Sequence, residues 1–164
     1  MTDSCFTCSC CGRQYDGLPD LAFGAPAVWT DTLAAEDLEG NRLDSDFCVA
    51  GGRDYLIRCV LEVPIKDTGE HLGWGVWASQ SESDFWDYRR TFHDNPERAT
   101  FGFLCNRLPL YPETVGLKTR VHWRSGRDRP RIELAPCDHP LYRDWLEGIA
   151  RDRAIEFAQL THRQ

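Results

Sequence analysis

The feature that most restricts the fold of this chain is Tyr55-Leu56-Ile57-Arg58-Cys59-Val60-Leu61-Glu62-Val63-Pro64-Ile65, a long run with period-two alternation. Side chains along a strand point alternately to opposite faces, so Tyr55, Ile57, Cys59, Leu61, Val63 and Ile65 share one face that a core must cover. Arg58 and Glu62 fall on the other face. Pro64 has no amide hydrogen to donate, which places a strand end or an edge there. Upstream, Phe47-Cys48-Val49-Ala50 and then Gly51-Gly52-Arg53-Asp54 predict the other arm of a hairpin. A turn centred on the two glycines sets Cys48 opposite Tyr55.

Strand and helix signals follow in order. Residues 72–79 read as a central strand with Trp74 and Trp77 in the core. Ser81 before Glu82 and Asp84 has the form of a helix start, with Phe85, Tyr88 and Phe92 at helical spacing until Asn95-Pro96. Residues 101–105 form a short apolar strand, and Leu108-Pro109-Leu110-Tyr111-Pro112 is an extended loop because proline restricts the residue before it. Residues 117–123 alternate again: Leu117, Thr119, Val121 and Trp123 face inward, while Lys118, Arg120 and His122 are wet and basic. Gly126 turns the chain so that Arg131-Ile132-Glu133-Leu134 pairs back.

Asp138 is expected to cap one long last helix, from about Pro140 to Leu160, in which Tyr142, Leu146, Ile149, Phe157 and Leu160 keep helical spacing. Gly148 inside it costs roughly 1 kcal/mol relative to Ala and so marks close packing. Nearer the start, Thr30 or Asp31 is expected to cap a short helix through Leu38. The 164 residues, 41% of them hydrophobic, suit one domain with a real core. The expected architecture is α+β: an antiparallel sheet with a short and a long C-terminal helix over residues 47–164, and a Cys-rich, zinc-knuckle-like arm over residues 1–46.

That arm holds Cys5-Phe6-Thr7-Cys8-Ser9-Cys10-Cys11-Gly12, four of the chain's eight cysteines. Cys8-x-x-Cys11-Gly12 has the form of a zinc knuckle, where two thiolates sit about two residues apart and the following glycine lets backbone amides turn toward the sulfurs. No Cys-x-x-Cys outside this cluster supplies the other half of a site. Cys48, which begins a strand just after the arm, is the best distant ligand, and Cys5 is placed for the fourth position, with Cys10 next. Cys59, Cys105 and Cys137 read as small buried hydrophobes. A redox motif is disfavoured because Cys11-Gly12 leads into a turn and not into a helix of a βαβ unit.

Several motifs occur together in order: Cys8-x-x-Cys11-Gly12, Gly17-Leu18-Pro19, Asp46-Phe47-Cys48-Val49, Arg58 onward to Pro64, Trp74-Gly75-Val76-Trp77, Leu108-Pro109-Leu110-Tyr111, Leu117-Lys118-Thr119, Arg129-Pro130 and Asp138-His139-Pro140-Leu141. In combination they resemble the bacterial family catalogued as domain of unknown function 2199, over nearly the whole chain. The resemblance brings no activity with it. Its pattern has a His three residues after Gly12, where this chain has Tyr15; the resemblance therefore implies a metal ligand that has moved or been lost here.

No run approaches the roughly 18 apolar residues of a membrane span, and the N-terminus lacks an apolar signal core, so a cytoplasmic protein with reduced thiols is expected. The net charge of -7 argues against a general nucleic-acid binder and leaves a protein partner or a small anionic ligand. No Gly-x-Ser-x-Gly, phosphate loop or His-Glu-x-x-His is present. Two functions stay open. One is a binding or regulatory module with a structural zinc; the other is a small hydrolase-like or other enzyme with a site near Tyr111, His122 and Arg129, with Ser79 as a further candidate. A single pocket gathering those four side chains would favour the enzyme.

Overall fold

A computed structural model of the chain describes residues 5–7, 12, 14–16, 18, 21–30, 40–124 and 128–162. The elements are β1 (Cys5–Thr7), β2 (Gln14–Asp16), β3 (Leu21–Ala22), β4 (Arg42–Leu43), β5 (Phe47–Ala50), β6 (Asp54–Pro64), β7 (His71–Gln80), α1 (Glu82–Arg90), β8 (Ala99–Phe103), β9 (Lys118–His122), β10 (Arg131–Leu134), α2 (Pro140–Glu147) and α3 (Arg151–His162). The short helix expected after Thr30 lies outside the described residues.

The alternating run forms β6. Ile57, Cys59, Leu61, Val63 and Ile65 are buried, whereas Arg58, Val60 and Glu62 are half-buried on the other face. β5 pairs with it antiparallel, but Cys48 stands opposite Leu56, one residue beyond the expected partner. The connection is three residues long, since Ala50 pairs with Asp54, and both Gly51 and Gly52 take positive φ (64° and 69°) to make it. Each extra loop residue moves the pairing by one.

The sheet is mixed, not the antiparallel sheet the sequence suggested. From β6 to β10 five strands run up and down in succession: β6–β7, β8–β9 and β9–β10 pair antiparallel, and Ala78 bridges Leu104 antiparallel where β8 ends beside β7. The Cys105 amide donates to the Trp77 carbonyl over 2.8 Å at that seam. The sheet therefore curls back on itself, and with an odd number of strands the last runs in the same direction as the first. β10 accordingly meets β6 parallel, Arg131 beside Val60. β3 also lies parallel to β7, with Leu21 beside Trp74.

Ser81 caps α1 as expected, its hydroxyl accepting from the Asp84 amide at 3.1 Å. The helix ends at Arg90, before Phe92, with Thr91 as its C-cap. Phe85 and Tyr88 pack inward on Phe47 and Trp123, ring centroids 5.8 and 5.2 Å apart. At the C-terminus the single long helix is instead two. Gly148, at φ 89°, ends α2, and Ile149 bridges to Ile65 by donating to the Pro64 carbonyl at 2.8 Å. The free carbonyl at the end of β6 competes successfully for the amide that a continuous helix would have used. The close approach signalled by Gly148 is real, because a Cβ there would lie 3.1 Å from the Pro64 oxygen. The cap of α2 is His139, whose Nδ1 accepts from the Leu141 amide at 3.0 Å. Asp138, expected in that role, is exposed and bonds Arg143.

Candidate binding face

The parity of β8 is set by one glycine. Where this strand closes on β7, a Cβ at Gly102 would overlap the Ser79 carbonyl oxygen and lie 2.9 Å from the Gln80 amide nitrogen. Gly102 is therefore held inside with Thr100, whose hydroxyl donates to Gln80 Oε1 over 2.6 Å. Period two then turns Phe101 and Phe103 outward. They are 56% and 41% exposed, with ring centroids 5.0 Å apart and edge to face.

Across the ladder Phe101 faces Arg120 and Phe103 faces Lys118. Both cations are exposed, and among the described residues neither is in an ion pair. On β10 Glu133 stands opposite Arg120 but bonds His122, Nε2 to Oε2 at 2.7 Å. A shallow cavity of about 270 Å³ lies on this face, lined by Phe101, Lys118, Arg120, Leu134 and Pro136 among others. The basic alternation was legible in the sequence; the exposed phenyl rings were not, because residues 101–105 read only as a short apolar strand. The Phe-Gly-Phe pattern of residues 101–103 was the available signal.

The residues considered for an enzyme do not share a site. Tyr111 stacks on Phe157 with centroids 5.4 Å apart and donates to Asp144 Oδ2 at 2.6 Å. Burial first, and then that carboxylate, push its phenol well above the usual tyrosine range. His122 belongs to the outer face with Glu133. Arg129 donates to Asp46 Oδ1 at 3.1 Å, at the fork where β5 and β10 leave the same edge of β6. The Ser79 hydroxyl accepts from the Phe103 amide at 3.0 Å and so fastens the β7–β8 seam. Trp74 and Trp77 are fully buried, as expected.

Of the metal candidates, Cys8, Cys10 and Cys11 lie outside the described residues, and Cys5 pairs through its backbone with Asp16 in the β1–β2 hairpin. Cys48 is fully buried with Leu56, Trp77 and Cys105; burial, then Cys105, push its thiol up to about 12. Among the described residues no group of three or more His, Cys, Asp or Glu side chains could hold a metal ion. Cys59 and Cys105 are the buried hydrophobes anticipated, but Cys137 is exposed.

This burial has a measurable consequence. Burial raises the Cys59 thiol above the ordinary value of 9.0, so the folded protein keeps a proton that the unfolded chain loses. Its contribution to stability is complete below about pH 9 and falls as the pH rises further. The urea midpoint should be flat near neutral pH and drop above that point, and a thiol reagent on the native protein should modify Cys137 rapidly and Cys59 only at the rate of unfolding. Fast labelling of Cys59 at neutral pH would contradict the packing described here.

The curled mixed sheet and its three described helices define a small α+β protein, and no helix among the described residues is long and apolar enough to cross a membrane. The chain belongs to the bacterial family described as "Uncharacterized protein conserved in bacteria (DUF2199)", whose model matches residues 7–149. No curated protein and no solved structure matches it.

Proposed function

We infer that this protein is a binding module that presents the outer face of β8 and β9 to an acidic segment of another protein, anchored by apolar side chains. The observation that carries this reading is the exposed Phe101–Phe103 pair directly across from Lys118 and Arg120. Full burial of a phenyl side chain contributes about 1.5–3 kcal/mol. The two cations give a chain of net charge -7 one local surface of the opposite sign, which favours an acidic partner and weakens with salt. Arg129 is not part of this face, since Asp46 holds it elsewhere. Tyr111, His122 and Arg129 sit on separate parts of the fold with separate partners, so the enzyme reading gains no comparable support.

The test takes each protein that co-purifies with the chain from its host and compares its affinity for three forms: wild type, Lys118→Gln with Arg120→Gln, and Phe101→Ala with Phe103→Ala. These side chains are exposed, so the variants should fold. Both doubles should weaken at least one partner by about tenfold or more, as loss of interface anchors does, and the first should also flatten the salt dependence. Equal binding to all three forms at low salt would remove this face as the recognition surface.

A structural zinc on the N-terminal hairpin completes the reading. Gly12, directly after Cys11, takes φ 70°, and β1 and β2 frame the segment that carries Cys8 and Cys11. That conformation and a soft thiolate donor set suit zinc. Cys8 and Cys11 would hold it, with Cys5 and Cys48 as the remaining candidates. Cys48 would have to ionise against its burial, which a cation at the sulfur offsets. Protein purified without chelators should carry about one zinc per chain, lost on replacing Cys8 and Cys11 by Ser. Elemental analysis showing no metal in the wild type would end this part of the proposal.

A further inference from the structure

A second site lies away from the outer face, at the fork where β5 and β10 part from one edge of β6. The Arg58 amide donates to the Asp46 carbonyl at 3.0 Å and the Val60 amide to the Pro130 carbonyl at 2.9 Å, so two distant segments hold neighbouring positions on the same strand. Segments that diverge from one edge leave a hollow between them, here a cavity of about 360 Å³. Its apolar wall includes Val60 and Phe92, both half-buried and so open to a ligand. The Phe92 ring is fixed by Phe47 and Tyr88, edge to face with centroids 5.0 and 5.9 Å away.

The rest of the wall is charged. Arg124, just after β9, is half-buried, and Arg129, just before β10, has a side chain 41% exposed. Each is anchored through one nitrogen: Arg124 Nε donates to the Arg129 carbonyl at 2.6 Å, and Arg129 Nε to Asp46 Oδ1 at 3.1 Å. Among the described residues the terminal nitrogens of both guanidinium groups have no partner, and the Nε bonds fix the direction in which they point. Asp46 and the exposed Asp128 also line the hollow. Asp46, however, is already engaged, since its other oxygen accepts from the Ser45 hydroxyl at 3.0 Å. Arg58 lies close by: burial first, and then the Arg129 guanidinium, pull it below the usual arginine range. Three cations thus stand against two carboxylates, a local excess of positive charge on a chain of net charge -7.

We propose that this hollow binds a small molecule with one carboxylate and an apolar body, the carboxylate held by the terminal nitrogens of Arg124 and Arg129 and the body laid against Val60 and Phe92. A guanidinium matches a carboxylate with two parallel hydrogen bonds, and cations oriented in advance lower the cost of binding. An excess of one positive charge favours a monoanion. The volume lies at the small end of the range for ligand pockets, about 300–1,000 Å³, which suits one ring or a short branched chain. The site shares no residue with the cavity on the outer face.

Benzoate, benzyl alcohol and acetate serve as probes: a ring with charge, a ring without it, and the charge alone. They are titrated into the full chain at about 0.15 M salt, which screens diffuse attraction between exposed charges. The arginine Nε–H resonances are followed by nitrogen–proton NMR, with Arg124 and Arg129 assigned from Arg124→Lys and Arg129→Lys. Benzoate should shift both resonances saturably and bind more tightly than either other probe. Arg124→Gln should weaken benzoate by about tenfold or more, the scale of a lost hydrogen bond between charged groups, and leave benzyl alcohol within about twofold. The outer-face variant, Lys118→Gln with Arg120→Gln, should bind benzoate as the wild type does. The proposal is overturned if benzoate at millimolar concentration moves neither resonance, or if acetate or benzyl alcohol binds as tightly as benzoate. Unchanged affinity in Arg124→Gln, or an equal loss in the outer-face variant, would overturn it as well. The comparison of the three probes on the wild type stands by itself should Arg124→Gln fail to fold.

Discussion

Replacing Phe157 by Ala should destabilise the protein by about 3–5 kcal/mol, the range for deleting a fully buried aromatic ring. Phe157 is 0% exposed and joins three parts of the fold: it lies on α3, edge-on to Trp74 of β7 with centroids 5.4 Å apart, and stacked under Tyr111 of the loop after β8. Arg153, one turn earlier on α3, lies over the Tyr111 ring and bonds Asp144 at 3.1 Å. These polar contacts lie at the edge of the packing and cannot fill the space left by a phenyl ring. The urea midpoint should fall with little change in its slope, since the same surface is exposed on unfolding. A loss below about 1.5 kcal/mol would mean that α3 is only loosely attached to the sheet.

Gly102→Ala should cost nearly as much, about 3 kcal/mol, at the upper end of the range for forcing extra atoms into a packed site. A flexible side chain could yield to the new methyl group, but the group in its way is the Ser79 backbone carbonyl of a paired strand. Relief requires β8 to move off β7. That movement would break the Cys105 to Trp77 hydrogen bond and the Ser79 to Phe103 contact, and open the curled sheet. Gly24→Ala is the control: a Cβ there meets nothing within 4 Å, so its effect should stay within about 0.5 kcal/mol. Comparable thermal midpoints for the two variants would refute the seam. Because the same glycine turns Phe101 and Phe103 outward, Gly102→Ala should also impair partner binding by the outer face, even at temperatures where the protein remains folded.

The sequence by itself determined whatever depends on near neighbours. Period-two alternation identified the buried face of β6 and separated Val121 and Trp123 from Lys118, Arg120 and His122 on β9. The Ser81 cap was legible because its partner amide lies only three residues away. Half of the candidate face, the basic half, was visible for the same reason, and the ordered motifs were enough to identify the family.

Tertiary structure decided whatever depends on residues far apart in the chain. Arg131 runs parallel beside Val60 because an up-and-down succession of five strands closes on itself, and no local pattern in either strand carries that information. Ile149 leaves the helix because the Pro64 carbonyl, 85 positions earlier, competes for its amide. Tyr111, His122 and Arg129 were plausible companions by residue type, but Asp144, Glu133 and Asp46 hold them apart. Phe101 and Phe103 had the composition of a core strand, and only the approach of β7 shows why they face out. The inner side of β8 lies too close to the Ser79 carbonyl to admit a side chain at Gly102, so the large residues on either side of it take the outer face.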